Sequence, residues 1–339
     1  MTKKDHPEYH KALMEQSTYP SATRRIKFEE TRRSYLYRTG THFYKIRKSD
    51  HFYSSLAIKE RYAREVKQLG AIWAEGHQIE VFPVVNTGAG YQLHGETGAV
   101  DYGCSMVQFQ DSYWLDRLVK QEKVSPAMVG RLARFLVEIH QDASLEEKAA
   151  SAGRPENFHA LMDEIFYEAR KYVGITISDA ILELVSHAML RYVEEFRRLF
   201  LRRQKRGRIV EGHGAFIPSH IHLKGGDVLA ISPLEGQSKF RLMDAANDVA
   251  TLLNELDLAG ALELGEQFQK RYASTAKDRD LARILPAYRT LQAMRSGLLY
   301  SEWLAELAEP DKSHSIIKAQ AESYFNLAVR MARTIPRPD

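Results

Sequence analysis

Hydrophobic and polar residues alternate along the first third of the chain, a pattern typical of short β-strands. Residues 33–38 and 41–47 are rich in aromatic and β-branched side chains, and the Thr-Gly pair between them predicts a hairpin turn. Because successive strand side chains point to opposite faces, Lys45 shares a face with Phe43 and not with Tyr44. The same reasoning predicts a helix at residues 55–75, strands at 79–85 and 100–109, and a glycine-rich loop at 86–98.

Near residue 110 the spacing of apolar residues changes from the strand period to the helix period. Ser125 and Pro126 form a good helix start, since serine can cap and proline fits the first helical position. Further helices are expected at about residues 157–172, 178–206, 245–257, 261–273, 282–307 and 313–334. A strand-and-loop passage at 209–240 interrupts them. We therefore expect an α+β protein with a β-rich part at 1–110 and a mainly helical part at 111–339.

Composition narrows the class of protein only a little. The 339 residues are 44% hydrophobic and 27% charged, with a formal net charge of +4, which is the balance of an ordinary globular protein. No run of about 20 apolar residues predicts a membrane span, and the first residues lack the apolar segment of a signal peptide. A single cysteine excludes an internal disulfide, so we expect a cytoplasmic protein.

The basic run at residues 197–208 is the one feature that suggests nucleic-acid binding. We favour the alternative, that the run is the solvated end of a long helix. No second basic stripe or aromatic platform accompanies it in the sequence, so no nucleic-acid partner is expected.

Two segments carry a resemblance to a known family. SYLYRTGTHFYKIRK (residues 34–48) is similar to a hairpin ending in a Tyr-Lys-Ile/Leu-Lys pattern, and FRLMDAANDVATLLNELDLAG (240–260) to a helix after a metal-binding segment. Both patterns belong to the bacterial aminoglycoside phosphotransferase-like kinases, in particular the branch often fused to a P-loop kinase domain. The resemblance covers about residues 28–307. It implies a protein kinase-like bilobal fold with a small antiparallel-sheet N-lobe and a large mainly helical C-lobe.

The resemblance also implies a nucleotide site and a partner. Lys45 falls at the strand lysine that contacts the nucleotide phosphates, and Glu65 at the helix glutamate that holds this lysine. Met106 and Phe109 complete the predicted nucleotide-binding residues. An ordinary surface pair of lysine and glutamate is the alternative. No G-x-x-x-x-G-K-[ST] motif occurs, so a separately encoded P-loop kinase is a candidate protein partner.

The catalytic loop departs from the pattern of this family, which reads His-Gly-Asp-x-x-x-x-Asn. The His-Gly pair is retained, but Ala215 stands at the catalytic Asp and His220 at the metal-binding Asn. Without gaps, the next metal-binding Asp falls on Ser232 and a glutamate three residues later on Glu235. A methyl group cannot accept a proton, and a neutral hydroxyl is a poor ligand for Mg²⁺. No intact catalytic residue is therefore expected.

The loop architecture is expected to survive this loss of chemistry. Asp248 resembles an acid that holds the catalytic-loop backbone by hydrogen bonds, and we interpret His213 and Gly214 as part of that support. A helix-face acid in solvent is the alternative for Asp248. Asp244 is expected on the same helix face, four residues earlier. His140 also matches a family position, and we interpret it as structural.

The sequence is compatible with several functions. The favoured one is a pseudokinase, a nucleotide- or partner-binding regulatory protein without efficient phosphotransfer, with ATP as the candidate cofactor and weak or absent Mg²⁺ binding. The second is an active ATP-dependent transferase acting on a small molecule through a relocated acid, and its candidates are Glu211, Asp227 and Glu235.

Two further alternatives use the altered region differently. In a metal-binding protein, His220 and His222 would point to the same side of a strand and bind a transition metal, with Glu235 nearby. In a nucleotide-free scaffold, the cleft between the lobes would take a small molecule or a protein partner.

Overall fold

The computed structural model describes residues 6–20, 25–50, 53–142, 151–307 and 312–335. The chain divides into two compact units. The first contains Met1–Asp111 together with Leu229–Gly236, and the second contains Ser112–Val228 and Gln237–Asp339. The division that we expected from the sequence assigned residues 229–236 to the helical part instead.

The first unit is built on a six-stranded antiparallel sheet with the strand order β1-β2-β3-β6-β4-β5. Its elements are α1 (His10–Leu13), β1 (Lys27–Glu30), β2 (Ser34–Arg38), β3 (His42–Arg47), α2 (Leu56–Trp73), β4 (Glu80–Asn86), β5 (Tyr91–Leu93) and β6 (Ala99–Val107). The predicted hairpin is present, with Tyr37 opposite Tyr44 and Gly40 in the left-handed conformation that its turn requires.

The alternation along β3 divides its side chains between two apolar clusters. Tyr44 and Ile46 are buried on one face with Phe82. Phe43 packs on the other face against a cluster that includes Tyr62 of helix α2. Lys45 shares this second face, so the period-two pattern directs its charged side chain toward the helix that covers the sheet.

The second unit is mainly helical. Its helices are α3 (Leu115–Lys120), α4 (Pro126–Asp142), α5 (Pro155–Ala169), α6 (Asp179–Glu195), α7 (Arg197–Lys205), α8 (Ala246–Leu258), α9 (Leu262–Thr275), α10 (Leu281–Glu306) and α11 (Lys312–Arg333). Helix α10 packs against α8 and α11 and is buried around much of its circumference, as expected of a central helix. The predicted α+β architecture is therefore confirmed.

Four short strands interrupt these helices. They are β7 (Ile209–Glu211), β8 (Ile221–Lys224), β9 (Asp227–Ala230) and β10 (Leu242–Asp244), and they form the pairs β7–β10 and β8–β9. Asp244 therefore ends a strand, and the prediction that it shares a helix face with Asp248 is wrong. The predicted helix at 178–206 is two helices that meet at Phe196, whose backbone departs from helical geometry.

A buried ion network fixes these strands to the helices. Arg203 of α7, 1% exposed, donates to both carboxylate oxygens of Asp244 and both of Asp278. The two carboxylates neutralise the guanidinium charge and accept hydrogen bonds from its N–H groups. These contacts offset the cost of removing the arginine from water.

Within the described ranges, none of the helices combines the length and the apolar character needed to cross a membrane.

Candidate functional site

Lys45 is the centre of a buried polar cluster in the first unit. Its ammonium donates to Oε1 of Glu235 at 3.3 Å, and the Tyr62 hydroxyl donates to Oε2 of the same carboxylate at 3.1 Å. Burial lowers the pKa of Lys45, but the charge and hydrogen bond of Glu235, together with the nearby Tyr62 and Cys104, raise it, so the pKa ends above its usual range. Lys45 is therefore charged at neutral pH, and Glu235 supplies its counter-charge.

Glu65, which we expected to hold Lys45, contacts a different group. Its Oε2 accepts a hydrogen bond from the Gly236 amide at 3.0 Å. Among the described residues, the carboxylate paired with Lys45 is that of Glu235. Tyr62 and Glu65 are three residues apart and lie on one face of α2, so they hold consecutive residues of the 229–236 segment. This attachment brings Glu235 to the lysine in place of Glu65.

The cavity beside Lys45 is small. It is enclosed by β3, β6, helix α2 and the 229–236 segment, and its volume is about 20 Å³. That is room for about one water molecule. Met106, one of the predicted nucleotide-binding residues, lines the cavity, and Phe109 packs edge-on against His77 at 5.0 Å. Burial raises the pKa of the Cys104 thiol in the cavity wall to about 12, so this thiol stays protonated.

Ser232, which the resemblance aligns with a metal-binding Asp, also lines this cavity. Its backbone φ is 54°, in the left-handed region that residues with a Cβ rarely adopt. The side chain offers a neutral hydroxyl from a strained position. Such a group provides less for Mg²⁺ than a carboxylate would.

Asp248 organises the altered catalytic loop in the second unit. Its two oxygens accept hydrogen bonds from the His213 amide at 2.7 Å and the Gly214 amide at 2.8 Å. The His140 Nε2 lies 3.1 Å from Oδ2, and the His140 Nδ1 lies 2.8 Å from the Tyr272 hydroxyl. These are the backbone contacts expected of Asp248, and His140 has the structural surroundings that we expected.

The electrostatics of Asp248 follow from these contacts. Burial by itself raises the pKa of the Asp248 carboxyl. The hydrogen bond and charge of His140, the charge of His213 and the hydrogen bond from the His213 amide lower this pKa, and together they outweigh the effect of burial. The net pKa lies below the usual range. Asp248 is therefore an ionised, fully buried anchor for the loop.

No acid stands at the tip of the loop that Asp248 holds. Ala215, which the resemblance aligns with the catalytic Asp, has only a methyl side chain, and its carbonyl oxygen lies 3.0 Å from the His220 Nδ1. Pro218 opens a short 3₁₀ helix that ends at His220. Asp248 thus binds the start of the loop backbone. Farther along the loop, the His220 ring contacts the Ala215 carbonyl, at the position where we expected an asparagine.

His220 and His222 do not form the pair that the metal-binding alternative requires. His220 lies in the 3₁₀ helix, whereas His222 lies in β8, buried with its ring 5.0 Å from that of Trp114. The prediction that both point to the same side of a strand is wrong because Pro218 starts a helical turn. In the part of the chain that the structure describes, no three His, Cys, Asp or Glu side chains cluster as a metal site needs.

The three candidate relocated acids have different surroundings. Glu211 accepts a hydrogen bond from the Arg241 guanidinium at 2.8 Å, and Glu235 is committed to Lys45. Asp227 is exposed at the start of β9. Two of the three are therefore occupied by cations.

Sequence reasoning missed one residue beside the candidate positions in each unit. Tyr62 binds Glu235, and its spacing of three residues from Glu65 was the available signal. Arg295 of α10 donates to the Gly214 carbonyl oxygen at 3.2 Å and lies over the Phe240 ring at 4.2 Å. Arg295 lies 81 residues from the loop, and no local pattern connects the two.

No protein-family model matches the chain. Uncharacterized proteins of Mycobacterium tuberculosis and Mycobacterium bovis are 25% identical over 219 residues, which is 63% of this chain and 44% of each relative. The match thus spans less than half the length of these curated relatives.

Solved structures give a match over nearly the whole chain. A choline/ethanolamine kinase family protein from Mesorhizobium loti is 12% identical, covers 96% of this chain and 99% of its own, and has a TM-score of 0.55. A thermostable mutant of aminoglycoside phosphotransferase APH(4)-Ia is 10% identical, with coverages of 91% and 94% and a TM-score of 0.53. Plasmodium vivax ethanolamine kinase is 15% identical, with coverages of 92% and 83% and a TM-score of 0.53. The chain therefore has the protein kinase-like fold that aminoglycoside phosphotransferases and choline/ethanolamine kinases share.

Proposed function

We propose that this protein is a pseudokinase, which binds a nucleotide or a protein partner and does not transfer phosphate efficiently. One observation carries the proposal: Asp248 and His140 maintain the loop backbone, whereas Ala215 presents a methyl group at the position of the catalytic acid. A general base is worth roughly 10²- to 10⁴-fold in rate. Preserved scaffolding around a missing base is the arrangement expected when binding or structure is kept and catalysis is lost.

The residues that replace the metal ligands support the same proposal. Ser232 offers one neutral hydroxyl, and the Nδ1 of His220 is engaged with the Ala215 carbonyl. Mg²⁺ prefers charged, hard oxygen ligands and has little affinity for either group. Phosphoryl transfer depends on the metal to neutralise charge that develops on the transferred group.

The Lys45–Glu235 pair bears on how a nucleotide would bind. A phosphate that approaches Lys45 must displace the Glu235 carboxylate or approach an ammonium that is already neutralised. The cavity of about 20 Å³ beside the lysine must also open before a base or phosphate can enter. We therefore expect nucleotide binding to be weak and not to depend on Mg²⁺.

The experiment combines nucleotide binding with turnover. Thermal-shift assays with ATP, with and without Mg²⁺, should give a small stabilisation that the metal does not increase, because a ligand raises the melting temperature by mass action. Phosphate release and transfer to small alcohols and amines should stay at background. Lys45→Met should abolish the ATP-induced shift, whereas Lys67→Met, an exposed lysine of α2, should not.

Robust Mg²⁺-dependent transfer that is lost in Lys45→Met would contradict the proposal and favour the relocated-acid alternative. Glu211→Gln, Asp227→Asn and Glu235→Gln would then identify the acid. If ATP does not change the melting temperature at all, the pseudokinase proposal would give way to the nucleotide-free scaffold. Ala215→Asp combined with His220→Asn and Ser232→Asp reinstates the residue types of the family, and activity in this variant would support simple loss of catalytic groups.

For a protein partner, we propose a separately encoded P-loop kinase. The matched region makes up only 44% of each mycobacterial relative, so those proteins contain a further part that this chain does not match. Affinity purification of the tagged chain from its source cells, followed by mass spectrometry, tests the proposal. Repeated recovery of a Walker-motif protein would support it, and its consistent absence would contradict it.

A further inference from the structure

A cavity in the helical unit is lined by charged side chains that the candidate site does not use. Its volume is about 310 Å³. Five basic and two acidic residues line it, from the end of α7, the start of β7 and the loop between α9 and α10: Arg203, Arg206, Arg208, Lys277, Asp278, Arg279 and Asp280. We propose that this cavity binds a small anion that carries one or more phosphate groups.

Internal ion pairs occupy both acids of the lining. Asp278 is held by the buried guanidinium of Arg203, which also binds Asp244. Asp280 accepts from Arg206 at 2.9 Å. Arg202, outside the lining, also donates to Asp280. The acidic groups are therefore committed to specific arginines, and the excess of basic groups leaves the cavity with a net positive charge.

The remaining cations are available to a ligand. In the described ranges, the side chains of Lys277 and Arg279 form no ion pair, and both are exposed. Arg208 donates Nη2 to the carbonyl oxygens of Ala276 and Lys277, and its contact with Asp278 is loose, at 3.9 Å. Three basic side chains thus converge on one hollow without a close carboxylate partner.

Two backbone features strengthen the site. Lys277 follows helix α9 with a φ of 52°, a backbone conformation that glycine adopts with the least strain. The chain therefore has a positively charged residue at a position where glycine would be more stable. Asp280 is the N-cap residue of α10, which is 26 residues long. The positive end of that helix dipole therefore adds to the potential of the basic side chains.

The geometry favours a small phosphate-bearing ligand over a polynucleotide. Guanidinium groups bind phosphate oxygens in pairs, and arginine is therefore the residue suited to such ligands. A concave volume of about 310 Å³ is at the lower end of small-molecule sites. Nucleic acid would need a basic track that continues along the surface, with aromatic groups to stack the bases.

The test is calorimetric titration of pyrophosphate into the full chain at low and at high salt. We expect saturable binding of one pyrophosphate, weakened by salt, and weakened about tenfold by Lys277→Gln combined with Arg279→Gln. Arg134→Gln removes an exposed arginine of α4 outside the lining and should leave binding unchanged.

Lys277→Gly tests whether a loss of binding comes from the lost charge and not from misfolding. Glycine accepts the left-handed backbone, so the melting temperature should stay equal or rise while pyrophosphate affinity falls about threefold. Failure to bind pyrophosphate at millimolar concentration would overturn the proposal. So would unchanged affinity in the Lys277/Arg279 double variant. An affinity for single-stranded oligonucleotides that grows with their length, without saturable pyrophosphate binding, would overturn it in favour of a nucleic-acid surface.

Discussion

Lys45 and Glu235 are 190 residues apart in the sequence, and their side chains form a partly buried ion pair. The lysine belongs to a central strand, whereas the glutamate belongs to the short segment that completes the first unit. In kinase folds the strand lysine contacts nucleotide phosphates. Here an internal carboxylate neutralises the ammonium of Lys45, so, under the proposed function, the pair both stabilises the first unit and competes with nucleotide phosphates.

Glu235→Gln should destabilise the protein. The amide can still accept from Tyr62, but the ammonium of Lys45 loses its counter-charge, which costs about 2–4 kcal/mol for a buried pair. Chemical denaturation measures the loss. Glu263→Gln, on an exposed part of α9, should change the free energy of unfolding by less than about 0.5 kcal/mol. Equal effects of the two substitutions would contradict the assignment of the buried pair.

The same substitution should increase affinity for ATP. Removing the Glu235 carboxylate removes a competitor for Lys45 and a source of repulsion for phosphates, so we expect an increase of roughly tenfold, equivalent to about 1.4 kcal/mol. Calorimetric titration without Mg²⁺ checks this result. The double variant with Lys45→Met should show no gain. Unchanged ATP affinity in a folded Glu235→Gln protein would argue against Lys45 as a phosphate contact.

Asp248 should make stability depend on pH in the acid range. Because its folded-state pKa is lowered, it contributes stability above the ordinary Asp pKa of about 3.9 and loses it as the pH falls through the folded-state value. Asp248→Asn should cost about 2–4 kcal/mol at pH 7, and the difference from wild type should shrink below about pH 4. Denaturation between pH 2.5 and 7 measures it, with Asp227→Asn as the exposed control. A difference that stays constant across this range would contradict the prediction.

Gly212 should not tolerate a side chain. A Cβ at this position would lie 2.5 Å from Oδ2 of Asp248 and would displace the carboxylate from the loop amides. Gly212→Ala should therefore lower stability by about 1–3 kcal/mol. Gly226→Ala is the matched control, because no atom lies within 4 Å of the Cβ it would add. Equal melting temperatures for the two variants would contradict the tight approach of Gly212 to Asp248.

Ser232 should respond to substitution according to its backbone conformation. Glycine relieves the left-handed strain, so Ser232→Gly should be as stable as wild type or up to about 1 kcal/mol more stable. Valine is β-branched and avoids positive φ, so Ser232→Val should lose about 1–2 kcal/mol. Denaturation curves of both variants decide the point. A valine variant as stable as wild type would show that the segment relaxes easily to another conformation.

The elements with strong periodicity were predictable from the sequence, and those without it were not. The hairpin of β2 and β3 and helix α2 lie close to their predicted positions, because each has an apolar face that the pattern reveals. Strand β1 has the sequence KFEE and β5 has only three residues. Both form because a neighbouring strand offers backbone partners, which is a tertiary effect that local propensity does not record.

The candidate site shows the same division. The family resemblance indicated Lys45, Asp248 and the altered loop, since these depend on residue identity in short motifs. It gave the wrong partner for Lys45, because an ion pair across 190 residues depends on where the 229–236 segment attaches. The network of Arg203 was missed for the same reason, as its two acids come 41 and 75 residues later.

The attachment of residues 229–236 to the first unit sets an order of events during synthesis. The ribosome completes the six strands of the first sheet long before it reaches Glu235. At about 5–20 residues per second, the 190 residues between Lys45 and Glu235 take roughly 10–40 s to make. During that interval the nascent sheet holds an ammonium without its final partner. The first unit to emerge is therefore completed only after much of the second unit has been made, and its last contact waits for a segment that follows five of the described helices of the second unit.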